Sequence, residues 1–126
     1  MKIEKPADIH EAVTEAFNAG DLEGLMALYE PGASMVGMDG SVLEGAAAIR
    51  ENWKNLLAFN GVMSLTTRYV IEQGDIALLS NEYTVKVGDD SLSGATAEVV
   101  RKQTDGTWLY LIDHPTGAGE PPELPA

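Results

Sequence analysis

The sequence predicts a single α+β domain, with three N-terminal helices packed on a strongly curved, mainly antiparallel sheet. Three observations carry this. Apolar residues recur with a helical period through most of the first sixty residues, and from Val62 onward they alternate with a period of two. The chain is 126 residues long with 44% hydrophobic residues, enough to fill one core and too little for two. Helices followed by a run of antiparallel strands cover one face of the sheet. A twisted sheet of this length is too short to close into a barrel, so it curls around the first helix and leaves an opening at one end.

The first element is a helix over residues 7–19. Ile9, Ala12, Val13, Ala16 and Phe17 fall on one stripe, and Gly20 ends it. Asp21 caps a second, short helix carrying Leu22, Leu25, Met26 and Tyr29, stopped by Pro31 and Gly32. Residues 33–38 suit a strand, and Asp39-Gly40 marks a turn in which Asp39 is a cap, unless a slip or bulge of the strand brings its carboxylate to a site. After Gly45 a third helix places Ile49, Trp53, Leu56 and Leu57 on one face and ends at Asn60-Gly61.

The strand region opens with Met63, Leu65, Thr67, Tyr69 and Ile71 alternating with polar neighbours. Turns at Gln73-Gly74-Asp75, Gly88-Asp89-Asp90-Ser91 and Asp105-Gly106 divide the rest into strands over 76–87, 92–103 and 107–114, a four-stranded meander. The domain thus covers residues 1–114. Residues 115–126 hold four of the six prolines and little to bury, which predicts a Pro/Gly-rich flexible tail.

A formal net charge of −12 disfavours nucleic acid and anionic membranes as partners. No cysteine is present, so disulfides and thiolate chemistry are excluded. Two distant histidines without short acidic spacing argue against a metal, and no phosphate-binding glycine motif or Gly-x-Ser-x-Gly elbow occurs, so no cofactor is expected. The first ten residues lack a signal-peptide core and no apolar run reaches membrane-spanning length, so the expected setting is the cytoplasm.

The stretch from Phe17 to Tyr29 (FNAGDLEGLMALY), the segment from Gly45 to Trp53 (GAAAIRENW) and the ending from Trp108 to His114 (WLYLIDH) resemble SnoaL-like and ketosteroid isomerase-like proteins of the nuclear transport factor 2-like superfamily. The likeness spans roughly residues 7–114. It implies the cone-shaped, cystatin-like fold, an apolar central pocket, and homodimers that pair through the outer sheet face. It also implies that the ketosteroid isomerase apparatus is mostly missing. The base would fall at Gly37 and the phenol at Val13, and neither can serve. Only the acid position is kept in kind, at Glu98, while Trp53 stands where the family places a supporting tyrosine. Steroid isomerisation by that route is therefore not expected.

The candidate acid–base residues are Glu98, Asp113 and His114. Neighbours in a strand point to opposite faces, so only one of Asp113 and His114 can look into a pocket unless a bulge intervenes. By parity His114 goes with Trp108, Tyr110 and Ile112, and Asp113 with Leu109 and Leu111. Glu98 shares a face with Thr96, Val100 and Lys102 and is either an inward carboxylate or an exposed one beside Lys102. Phe17, Tyr29, Met35, Trp53, Met63, Tyr83 and Trp108 either line a ligand pocket or fill the core. His10, in the first turn of the first helix beside acidic residues, is expected in solvent.

Three functions remain open on the sequence. The first is a cofactor-independent isomerase, cyclase or lyase that moves a proton on a small, largely apolar molecule. The second is a noncatalytic binding domain using the same pocket, and the third is a dimerisation module. Val70, Ile76 and Leu78 on outward strand positions point to a homodimer through the sheet face.

Overall fold

The computed structural model describes residues 2–118. Helix α1 (Asp8–Asn18) buries Ile9, Ala12, Val13 and Phe17, as its periodicity requires, and it also buries His10. It ends at Ala19, and Gly20 follows at φ +66°, a left-handed conformation that a Cβ resists. Asp21 then caps α2 (Leu22–Met26) by accepting the Gly24 N–H at 2.9 Å.

Helix α2 is shorter than the sequence predicts. Tyr29 opens strand β1 (Tyr29–Val36) instead of closing a helix, and Pro31 and Gly32 lie within that strand. The physical reason is the pairing of β1 with the last strand, β7 (Trp108–His114), whose register shifts between Tyr29 and Ser34. A proline sits without penalty at such an irregularity, where no ladder hydrogen bond is demanded of it. The turn after β1 is as expected, with the Ser41 N–H bonded to Asp39 Oδ1 at 2.9 Å. It leads into a three-residue strand, β2 (Val42–Glu44), too short to be seen in the sequence. Helix α3 (Ala46–Leu57) follows and buries Ile49 and Trp53.

Strands β3 (Val62–Gln73) and β4 (Ile76–Val87) form a long antiparallel hairpin. The predicted strand over 92–103 is in fact two, β5 (Asp90–Ala95) and β6 (Ala97–Lys102), broken at Thr96. β5 pairs with the far half of β4, from Glu82 to Val87, and β6 with the near half, from Ile76 to Leu79. Thr96 holds the corner, since its N–H donates to Asn81 O and its Oγ1 accepts from the Asn81 N–H, both at 2.9 Å. This break bends the sheet. The full order is β2-β1-β7-β6-β4-β3, antiparallel except for the parallel β1–β7 pair, with β5 beside β4.

The helices cover the concave face of this curved sheet. The core runs through Ile9, Phe17, Leu25, Met35, Ile49, Leu79, Val100 and Tyr110. Phe17 meets Trp53 edge-on at 6.0 Å between ring centroids. Of the expected tail, Ala118 donates its N–H to Ala95 O at 3.2 Å, and residues 119–126 lie outside the described residues. Among the described residues no helix is long and apolar enough to cross a membrane.

Candidate active site

Because the sheet bends at Thr96, the space between α1, α3 and the strands does not fill completely. A cavity of about 430 Å³ remains, within the range of small-molecule sites. Phe17, Met35, Trp53, Met63 and Tyr83 line it, as their apolar pattern suggests. Tyr29 and Trp108 do not. Tyr29 stands behind the wall as a hydrogen-bond donor. Trp108, at the other end of β7, lines a separate groove with Lys2, Ala16 and Asp105. Pro115 and Thr116, expected in the tail, also border the cavity.

The polar groups are gathered on β4, β6 and β7. Glu98 and Asp113 are direct cross-strand partners, and both face the cavity. Parity alone would not put Asp113 on the same side as Tyr110. The β6–β7 register, however, jumps from Val100↔Tyr110 to Val99↔Ile112, which leaves Leu111 as an extra residue. That bulge turns both Tyr110 and Asp113 inward and sends Ile112 out to 45% exposure. His114 consequently turns away, is absent from the cavity wall, and lies against Gly117 with its Nδ1 buried and unpartnered.

Each carboxylate has its own set of donors. On Glu98, Oε1 receives the Thr96 hydroxyl at 2.7 Å, the Asn81 amide at 3.3 Å and His10 Nε2 at 2.8 Å. The other His10 nitrogen lies 2.8 Å from Thr67 Oγ1. His10 is thus not in solvent at all, being 2% exposed, and Glu98 is paired with it and not with Lys102. On Asp113, Oδ2 accepts the Tyr29 hydroxyl at 2.6 Å, and the Trp53 indole N–H donates to that hydroxyl oxygen at 3.2 Å. An indole can only donate, so this chain has one polarity: Trp53 to Tyr29 to Asp113.

The electrostatics follow from burial and proximity. Burial, then the facing charge of Glu98, push the Asp113 carboxyl up to about 8, and the Tyr29 hydrogen bond only partly offsets them. Burial and the neighbouring carboxylates likewise hold the phenols of Tyr29 and Tyr110 well above their ordinary value. Burial and the facing carboxyl group thus favour the protonated form of Asp113 near neutral pH. With Oδ2 engaged by Tyr29, its proton belongs on Oδ1. No lysine, arginine or histidine lines the cavity among the described residues.

Residues that the sequence reading missed are His10, Asn81, Thr67 and Tyr110. His10 left one trace, falling at i, i+3 and i+7 with Val13 and Phe17 on the buried stripe. Asp39, exposed at its turn, takes no part in the cavity wall.

Residues 10–111 match the family model of the SnoaL-like domain, and the chain belongs to that family, within the NTF2-like superfamily. Solved structures agree on the fold. An association domain from Thiobacillus denitrificans, provisionally described as of the calcium/calmodulin-dependent protein kinase type II kind, aligns with a TM-score of 0.78 at 21% identity. The match covers 90% of this chain and 95% of that one. A Streptomyces avermitilis protein of the NTF2-like family, provisionally described as a dehydratase, aligns at 0.73 and 21% identity over 89% and 92% of the two chains. A ketosteroid isomerase-like protein from Erwinia carotovora atroseptica aligns at 0.67 and 19% identity over 86% and 89%. At such identities these likenesses establish the fold alone. No curated protein sequence matches the chain.

Proposed function

We propose that the cavity binds a small, neutral, largely apolar molecule carrying a carbonyl group, and that Glu98 and Asp113 move protons on it without a cofactor. The observation that carries this reading is the facing pair of buried carboxylates in an apolar cavity whose wall has no cationic side chain. A carboxylate or phosphate ligand would meet like charge there with nothing to offset it. A ketone or aldehyde oxygen instead meets the Oδ1 hydrogen of neutral Asp113. In this reading Asp113 donates that proton to the carbonyl oxygen while Glu98 takes one from the adjacent carbon, giving the enol. Reversal at another carbon gives isomerisation. With a β-hydroxyl substituent, transfer of the Glu98 proton to the departing oxygen as the enol returns its proton to Asp113 expels water and gives the unsaturated carbonyl compound. The acid–base role proposed from the sequence thus rests with Glu98 and Asp113, and His114 is left out of it.

The reading is tested with benzylacetone as a probe in deuterium oxide. Binding should perturb the NMR signals of Met35 and Met63, and the protein should speed deuterium uptake at the carbon next to the carbonyl. Asp113→Asn should slow that uptake by about 100-fold or more, the usual scale of general acid–base catalysis. A probe that perturbs no cavity residue, or uptake equal in wild type and variant, refutes the reading. Binding without any uptake would favour the noncatalytic alternative.

We also infer that the chain pairs with a second copy through the outer sheet face. Ile71, Ile76 and Leu78 are 57%, 36% and 38% exposed on adjoining strands, with Ile112 beside them, and this leaves apolar surface in water on a lone chain. Val70, expected on this face, is paired with buried Leu79 and so lies on the other side of the sheet.

A further inference from the structure

A buried histidine that never reaches the cavity calls for an explanation. His10 is 2% exposed, yet it is absent from the cavity wall. A histidine that merely fills space would be replaced at no cost by an apolar side chain; this one has both ring nitrogens at hydrogen-bond distance, 2.8 Å from Thr67 Oγ1 and 2.8 Å from Glu98 Oε1. An ionised carboxylate only accepts, so the Nε2 atom is the one that carries the hydrogen toward Glu98. Nδ1 then faces a hydroxyl able to give or take a hydrogen, and the ring is held in place whichever it does.

The two carboxylates differ in what supports them. They sit opposite each other on β6 and β7, where like charges side by side are unfavourable, and one proton between them removes the conflict. Three donors converge on a single oxygen of Glu98, whereas Asp113 has one, Tyr29. Donors to the charged form favour it. Two of the three on Glu98 are neutral and come from β4 and the β5–β6 corner, Asn81 and Thr96. The third is the imidazole from α1, the only one able to carry charge itself.

We propose that His10 is a positioning residue that makes Glu98 the charged member of the pair and so leaves the proton on Asp113, the acid facing the ligand. The groups around the imidazole are few. Thr67 of β3 and Glu98 of β6 touch it, Asn81 and Thr96 share the Glu98 oxygen, and Tyr110 and Asp113 of β7 are the remaining ionisable groups on this face. Arg68 on β3 is engaged elsewhere, by Ser80 and Glu82. Asp8 and Glu11, the acidic residues of the first turn of α1, do not reach the ring through any hydrogen bond among the described residues. The device rests on the reading of Asp113 as the cavity's proton donor, and it adds the residue that assigns that proton.

The test uses the whole chain without ligand, labelled with carbon-13 at the aspartate side-chain carboxyl and titrated by NMR. His10→Leu removes the donor. His10→Gln keeps an amide N–H near the Nε2 position and serves as the rescue. His10→Asn, whose shorter amide reaches toward Thr67 but not Glu98, stands in should the leucine variant fail to fold. The Asp113 midpoint should fall by one pH unit or more in the leucine or asparagine variant, a tenfold or greater loss of proton affinity, and return close to wild type in the glutamine variant. An unchanged midpoint in a folded leucine or asparagine variant overturns the proposal. So does a glutamine variant that shifts as far as the others, because that would mark a packing effect. Since no ligand is present, this result stands or falls separately from the benzylacetone experiment.

Discussion

Replacing Asp113 with asparagine should uncouple the stability of the fold from pH across the range between the ordinary carboxyl value and the folded one. The amide keeps the shape, its carbonyl can still accept the Tyr29 hydroxyl, and it has no proton to lose in this range. In the wild type, Asp113 moves from an ordinary 3.8 in the unfolded chain to about 8 in the folded one. The folded pKa is raised, so its stabilising effect is complete below about pH 4 and is lost as pH climbs to about 8. Within that window the unfolded chain is ionised at this site while the folded one still holds its proton. Each pH unit therefore costs the wild type about a factor of ten in its folding equilibrium, on the order of 1 kcal/mol. Over the whole window the sum is on the order of 5 kcal/mol, comparable to the total stability of a small domain. Urea unfolding of both proteins at about pH 5, 6 and 7 measures this, because titrating groups remote from the Glu98–Asp113 pair cancel in the difference. The variant should gain on the wild type at each step. A difference that stays flat with pH would refute the argument that Asp113 is buried as a neutral acid.

Tyr29→Phe removes the one hydrogen bond that lowers Asp113, so the Asp113 midpoint should move higher still. It also strands the Trp53 N–H at a cost of about 1–3 kcal/mol, read by carboxyl NMR and by urea unfolding. Phe17→Ala deletes a 4%-exposed ring from the junction of α1 and α3 and should destabilise by about 3–5 kcal/mol in the same unfolding assay, while enlarging the cavity. Leu78→Lys places a charge on the outer sheet face, and sedimentation should find a dimer for the wild type and a monomer for the variant; a monomeric wild type would remove the pairing surface.

The sequence carried the fold further than the site. Stripes such as Ile9-Val13-Phe17 and Ile49-Trp53 read directly as helix faces because a helix repeats its environment every three to four residues. Glycine turns likewise placed the strand boundaries, as at Gly74 and Gly106, both in left-handed conformations. What stayed hidden were local irregularities with no residue signature. Thr96 breaks one strand into two, and Leu111 is inserted opposite a regular partner, yet neither is glycine or proline. The second of these decides the site, because it sets Asp113 inside and His114 out. His10 was hidden differently. Its acidic neighbours spoke for solvent, and only the distant partners Thr67 and Glu98, 57 and 88 residues away, make its burial affordable.

The claim on which the site reading turns is that Asp113 holds its proton at neutral pH in an empty cavity. Infrared spectroscopy of the ligand-free protein, with aspartate side chains labelled with carbon-13, addresses it directly through the stretching band of an un-ionised carboxyl group. The account predicts that band at pH 7, its disappearance as pH passes about 8, and its absence from Asp113→Asn. A spectrum at pH 7 containing only ionised aspartate would contradict it.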